Sequence, residues 1–266
     1  MGDSETRFRL TLHYDGSAFH GWQIQPEDRT VQGELEKVFK ELTGSRRVVE
    51  GSGRTDAGVH AIGQVASVTM PASWTAPALK RSVNALLPDG IWAEEVAVAD
   101  PDFHPRFDAQ ARTYRYLVGT DAASQSPFHK SWCWPLAQPL DEEILHRCAR
   151  ALVGPGSFEA FAKAGQPERG YDCRIDEAEW TRWKLGMAFT ITANRYLHHM
   201  VRYLVGTMVE LARGKRPFVE WEALLRHAPG LETSPPAPPE GLFLAHVAYE
   251  STSEDATPTQ VPEGLS

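Results

Sequence analysis

Two kinds of apolar spacing alternate along residues 7–98, and the order in which they come leaves few folds open. Phe8, Leu10, Leu12 and Tyr14 take turns with Arg7, Arg9, Thr11 and His13, the period of two that a half-buried strand requires. Asp15-Gly16 ends that run as a turn signal. Val31, Leu35, Val38, Phe39 and Leu42 then follow the spacing of a helix face, with Thr30 placed to cap the first amides and Gly44 to stop the helix. Residues 48–51 and 62–70 read as two strands, leaving 52–61 as their connection. A second helix is predicted over 77–87, with Leu79, Val83 and Leu86 on one face and Pro88-Asp89-Gly90 closing it. A strand over 91–98 completes the order β-α-β-β-α-β, the split βαβ pattern of a ferredoxin-like unit.

The second half repeats this order less cleanly. A strand is predicted over 113–119, then a helix over 140–153 with Ile144, Leu145, Cys148 and Leu152 inward. Residues 173–183 and 185–193 pair as a hairpin. A helix over 196–213 presents Leu197, Val201, Leu204, Met208 and Leu211 to the core and stops at Gly214. A short helix over 219–227, a proline-rich loop over 234–239 and a strand over 242–249 follow. The expected fold class is α+β: two ferredoxin-like halves, 1–105 and 106–250, with their antiparallel sheets joined around a central active-site cleft. Residues 251–266 are Ser, Thr, Pro, Glu and Gly without periodicity and are expected to be disordered.

Composition narrows the class of function. With 42% hydrophobic and 23% charged residues the chain is an ordinary globular mixture. No window approaches the roughly 18–20 uncharged apolar residues that a membrane span needs. Residues 1–7 are polar and charged, unlike a signal peptide, so a cytoplasmic protein with no membrane association is expected. Cys133, Cys148 and Cys173 lack the spacing of a zinc site and read as reduced, packed thiols. The net charge of −8 counts against a nucleic-acid partner. Local field matters more than the sum, however, and basic residues gather at Arg46-Arg47, across 106–115 and across 195–216.

Three clusters could carry chemistry. The densest is the loop Gly51-Ser52-Gly53-Arg54-Thr55-Asp56-Ala57-Gly58-Val59-His60-Ala61. Asp56-Ala57-Gly58 could simply turn the chain, since Asp favours turns and Gly58 supplies a positive φ. The residues alone favour that turn; against it stand three titratable side chains in seven residues, with glycines that allow close approach, as a ligand site on a scaffold loop would have. The second cluster is Asn194-Arg195-Tyr196-Leu197-His198-His199-Met200-Val201-Arg202. On a helix, Arg202 shares a face with His198 and His199, while the two histidines point about 100° apart and make poor joint metal ligands. This cluster is either a solvated face with one buried histidine or a guanidinium aimed at a carboxylate or phosphate. In the third, Arg112-Thr113-Tyr114-Arg115-Tyr116, strand alternation places Arg112, Tyr114 and Tyr116 together. That is an amphipathic strand, or a surface on which an exposed base stacks.

Gly53-Arg54-Thr55-Asp56-Ala57-Gly58-Val59-His60-Ala61 resembles the signature of the TruA family of tRNA pseudouridine synthases. Further segments match that family in order. They are Tyr14-Asp15-Gly16, Gly21-Trp22-Gln23, Val83-Asn84-Ala85-Leu86-Leu87-Pro88 and Phe103-His104-Pro105-Arg106-Phe107, then Arg112 to Tyr116, His198 to Arg202 and Pro239-Glu240-Gly241-Leu242. The resemblance spans residues 7–249. It implies a homodimer that binds tRNA and isomerises uridine at positions 38, 39 and 40 of the anticodon stem-loop. It implies Asp56 as the catalytic carboxylate, Tyr114 packed on the target base and Arg202 as the basic partner of Asp56. Arg195-Tyr196 depart from the family pattern, where small or apolar residues are expected, and Tyr203 stands where Asn is common.

The chemistry suits those residues. Isomerisation breaks the bond from N1 to the ribose, turns the base and rejoins it through C5, so no redox step occurs and no cofactor or metal is expected. It calls for a dry pocket and one carboxylate, acting as nucleophile at C1′ or as base at C2′, and an ionised Asp there needs a cation. A uridine inside a stem must be extruded, which makes Arg54 a candidate to hold the flipped nucleotide. A nucleoside-cleaving hydrolase would call for a second carboxylate or a metal to activate water, and the loop holds Asp56 alone. A non-catalytic RNA-binding module would leave Asp56 without a purpose, since a carboxylate repels phosphate.

Overall fold

The computed structural model describes residues 4–163 and 170–250, so the expectation for the tail falls outside the described residues. They form two compact units, 4–110 with 244–250 and 111–163 with 170–243. The fold is mixed α+β, with mostly antiparallel pairing and five α-helices among the described residues.

The first unit opens with β1 (Glu5–Tyr14), α1 (Val31–Thr43), β2 (Val49–Gly51), β3 (His60–Pro71), α2 (Ala76–Leu86) and β4 (Ile91–Val98). Strand order is β4-β1-β3, with β2 on the other edge of β3, all antiparallel. Phe8, Leu10 and Leu12, the inward set of the first alternating run, are fully buried and face Val68, Ala66 and Gln64 across the pair. Helix α1 begins and ends where its caps predict. Thr30 accepts a hydrogen bond from the Gly33 amide, and Gly44 adopts φ 71° while its N–H reaches the Lys40 carbonyl. Glu36 of α1 is buried because it is used: its carboxylate accepts the Val49 amide at 3.3 Å and pairs with Arg46 at 3.1 Å, tying β2 to the helix.

The second unit contains β5 (Ala111–Gly119), β6 (Trp134–Pro135), α3 (Glu142–Arg150), β7 (Gly154–Ser157), β8 (Asp172–Trp183), β9 (Gly186–Ala193), α4 (Met200–Ala212) and α5 (Val219–Leu225). Its strands run β5-β9-β8-β7, antiparallel, with β6 parallel to β5. Trp180 and Trp221 anchor the core, the first donating to Met208 Sδ at 3.5 Å and the second to the Cys148 carbonyl at 3.2 Å. Cys133, Cys148 and Cys173 are buried free thiols, and burial pushes them up to about 11, about 12 and about 11. The last strand, β10 (Leu242–Ala248), rejoins the first unit from Leu244 and lies beside β3. The approach is close: a Cβ on Gly63 would stand 2.2 Å from the Ala245 carbonyl oxygen.

Helix α3 covers only the middle of its expected span 140–153, α5 ends two residues before the expected 227, and α4 starts later than its spacing predicts. The stretch expected as helical over 196–213 becomes α4 only at Met200, because His199 adopts the left-handed conformation with φ 63°. Leu197 is buried as expected but from a loop, and its carbonyl accepts the Met200 amide at 3.1 Å. His198 and His199 therefore do not diverge as helical neighbours, and their rings pack edge to face with centroids 4.2 Å apart. No helix among the described residues is long and apolar enough to cross a membrane.

Candidate active site

The loop between β2 and β3 is held almost entirely through its backbone and small side chains. Ser52, Thr55, Val59 and His60 are buried, Asp56 is half-buried and Arg54 is exposed. The Asp56 carbonyl accepts the Val59 amide at 3.1 Å, and Gly58 takes φ 79°, so Asp56-Ala57-Gly58-Val59 is a turn closed by main chain. The turn and the functional reading of Asp56 are thus compatible. The bend is made by the backbone.

The segment after β1 forms the cradle of this loop. A shift in the β1–β3 register between Leu12 and Tyr14 brings Tyr14 opposite Ala61, and its hydroxyl lies 2.8 Å from Thr55 Oγ1. The Trp22 amide donates to the Thr55 carbonyl at 3.0 Å, and the Trp22 indole lies where a Cβ on Gly51 would come within 2.5 Å. Gly21 has φ 86° and sits against the Thr55 and Asp56 backbone. His60 Nδ1 accepts the Gly16 amide at 3.0 Å and lies 3.3 Å from Asp15 Oδ1. Burial works against charge on Asp15, but contacts with His60 and Ser17 hold its carboxyl down at about 2. Tyr14-Asp15-Gly16 and Gly21-Trp22, which sequence alone marks only by resemblance, are the parts that grip the Asp56 loop.

Gly16 tests that interlock. A Cβ at this position would lie 2.1 Å from the Val59 carbonyl oxygen, a backbone atom with nowhere to retreat. Gly16→Ala is expected to lower stability by about 1–3 kcal/mol, as overpacking does, and to displace the loop. Thermal unfolding followed by circular dichroism checks it, and an unchanged midpoint would mean that the loop yields freely.

The other two candidates lie in the second unit. Tyr114, 9% exposed, is on β5 opposite Ile191 and meets the Tyr196 ring edge to face at 4.9 Å. Tyr196 has its hydroxyl 2.9 Å from the Arg112 carbonyl and 2.8 Å from the Ile191 carbonyl, and burial raises it well above an ordinary phenol. Tyr196 is therefore a packed support for Tyr114. Arg202 is on the first turn of α4, where Nε donates to the Ala237 carbonyl at 2.7 Å and its own carbonyl accepts the Ala237 amide at 2.9 Å. The proline-rich stretch is further tied down by the Ser234 amide on Thr207 Oγ1 at 3.2 Å and by Tyr116 Oη on the Pro238 carbonyl at 2.7 Å.

Several of the basic residues noted from sequence already have carboxylate partners. Arg46 pairs with Glu36 (3.1 Å), Arg47 with Glu5 (2.6 Å), Arg213 and Lys215 with Glu210 (2.6 and 3.3 Å) and Arg216 with Glu220 (2.6 Å).

Comparison with known proteins places these residues in context. The profile described as tRNA pseudouridine synthase matches residues 11–108 and 148–250. A tRNA pseudouridine synthase A from a Geobacillus species is 38% identical over 257 residues, covering 92% of this chain and 99% of its own length. Those of Moorella thermoacetica and Bacteroides thetaiotaomicron are each 37% identical, covering 91% and 97% of this chain and 98% of their own lengths. A solved Cbf5-Nop10-Gar1 complex aligns over 91% of this chain and 50% of its own at 12% identity and a TM-score of 0.37, too distant to carry an argument. The matched stretches contain the Asp56 loop, its cradle from Thr11 onward and Arg202, and the chain belongs to the tRNA pseudouridine synthase family.

Proposed function

We propose that the chain isomerises uridine to pseudouridine in tRNA, at positions 38, 39 and 40 of the anticodon stem-loop. The observation that carries this reading is the family match across both units, with the signature loop held rigidly around Asp56. Asp56 is the reacting carboxylate, acting at the ribose to release N1 from C1′. C1′ is then joined to C5, the C5 proton leaves and N1 gains one, so the reaction balances without any redox partner. Tyr114 packs on the base, supported by its contact with Tyr196. Arg202 is the cationic partner of that carboxylate, and exposed Arg54 holds the flipped nucleotide. Two ferredoxin-like halves, a homodimer and a cytoplasmic location belong to the same reading. The β-α-β-β-α-β order and the β4-β1-β3-β2 arrangement of the first unit support the first of these.

The deciding assay incubates the protein with unmodified tRNA and separates the nucleosides. Pseudouridine supports the proposal, free uracil would mean a hydrolase, and unchanged uridine with bound tRNA would mean a binding module.

Salt dependence should be shallower than the count of basic residues suggests. Each phosphate contact contributes about −0.7 to −0.9 to the slope of log affinity against log salt. Arg46, Arg213 and Arg216 have part of their charge already balanced by Glu36, Glu210 and Glu220. Filter binding across a salt series is expected to give a slope well short of one contact per cation. Affinity flat in salt would remove the electrostatic contribution altogether.

A further inference from the structure

Beneath the Asp56 loop lies a chain of buried polar side chains that the chemistry above does not use. Gln64 of β3 is fully buried although it sits within an apolar strand. Its Oε1 accepts from Ser52 Oγ at 2.7 Å, and its Nε2 donates to the Gly53 carbonyl at 3.0 Å and to Tyr14 Oη at 3.4 Å. Tyr14 Oη in turn shares a hydrogen bond of 2.8 Å with Thr55 Oγ1. Tyr14 is 4%, Ser52 1% and Thr55 6% exposed, so the chain runs out of reach of bulk water and ends on the residue next to Asp56. Burying four polar side chains costs stability unless each is satisfied, and a leucine and a valine would fill the same space more simply.

We propose that Tyr14 and Thr55 are positioning residues for Asp56, their hydrogen bond fixing the backbone from which the carboxylate projects. Thr55 is gripped twice, by Tyr14 on its side chain and by the Trp22 amide on its carbonyl. With the Asp56 carbonyl closing its own turn, the backbone that carries the carboxylate is held on both sides of it. Reaction at a ribose carbon tolerates little misplacement, so loosening Thr55 lowers the rate of the chemical step without weakening the hold on tRNA. This rests on the role of Asp56 proposed above.

The test compares Tyr14→Phe, Thr55→Val, the double variant and Thr55→Ser in the full chain, with kcat and KM measured on tRNA and Asp56→Asn run alongside. Tyr14→Phe and Thr55→Val keep the shape and remove the hydrogen bond, and each is expected to lower kcat about tenfold with KM unchanged. Because the two share one bond, the double variant should be no slower than the worse single. Thr55→Ser retains the hydroxyl and should stay close to wild type. A wild-type kcat in Tyr14→Phe, multiplied losses in the double variant, a loss falling on KM, or equal losses in Thr55→Ser and Thr55→Val would each overturn the proposal. Should Asp56→Asn remain active, the assignment of Asp56 falls instead. If it is inactive while Tyr14→Phe is normal, only the positioning role is lost.

Discussion

Asp56→Asn is expected to abolish pseudouridine formation while tRNA still binds. The substitution keeps the size of the side chain and the main-chain contacts of the loop, since the turn is closed by the Asp56 carbonyl and the neighbouring Thr55 is held by Tyr14 and Trp22. What disappears is the charge and the nucleophilic oxygen. An amide neither attacks C1′ nor takes a proton from C2′, so both routes to glycosidic cleavage close together. The expected loss in single-turnover rate is at least about a thousandfold, with affinity changed little, since the carboxylate serves the reaction and repels the phosphates of the ligand. Comparable single-turnover rates in the Asn variant would remove Asp56 from its role.

Arg202→Ala should have the next largest effect on turnover, about a hundredfold, which is typical for removing a charged group that stabilises a reacting centre. The loss has two parts. One is the cation proposed as the partner of Asp56. The other is the Nε bond to the buried Ala237 carbonyl, whose loss loosens the 234–238 stretch against α4. Arg202→Lys separates them. A lysine restores a point charge but cannot hold the Ala237 carbonyl and present a planar fork at the same time, so it should recover only part of the rate. Melting temperatures of both variants report the packing contribution independently. Near-normal turnover in Arg202→Ala would show that the residue serves packing alone.

Most elements were legible from spacing because their burial follows the simple periods. The strand predicted over 91–98 is β4 without change, and α1 lies between the Thr30 and Gly44 caps as expected. The misplaced start of α4 has a specific cause. Tyr196, Leu197 and Met200 continue the apolar spacing of a helix, but the left-handed turn at His199 interrupts it, and no glycine marks that turn. Strand β7 went unread because Gly154-Pro155-Gly156-Ser157 has the composition of a loop and is a strand only through its pairing with β8. At the site, composition marks the Asp56 loop as the densest polar cluster, and the resemblance, not the spacing, supplies its expected role. Neither composition nor spacing pointed to Gln64, although a lone glutamine within the apolar run 62–70 was a usable signal. The Tyr14–Thr55 contact joins residues 41 positions apart and depends on a register shift that no local pattern announces.

The return of the chain from the second unit to β3 imposes an order on synthesis. A ribosome completes 111–243 before it delivers the residues from Leu244 onward that lie beside β3. The second unit can therefore close on itself as a contiguous stretch. The first must wait with part of the β3 edge unfilled until more than a hundred further residues have been made, and that edge is a surface to which a stray strand could add. The close fit of Gly63 against Ala245 gives the late strand a snug berth, so the nascent unit is protected by shape once the last segment arrives. For this protein the vulnerable interval is set by translation speed, because the β3 edge in the unit that carries Asp56 waits for residues 244–248.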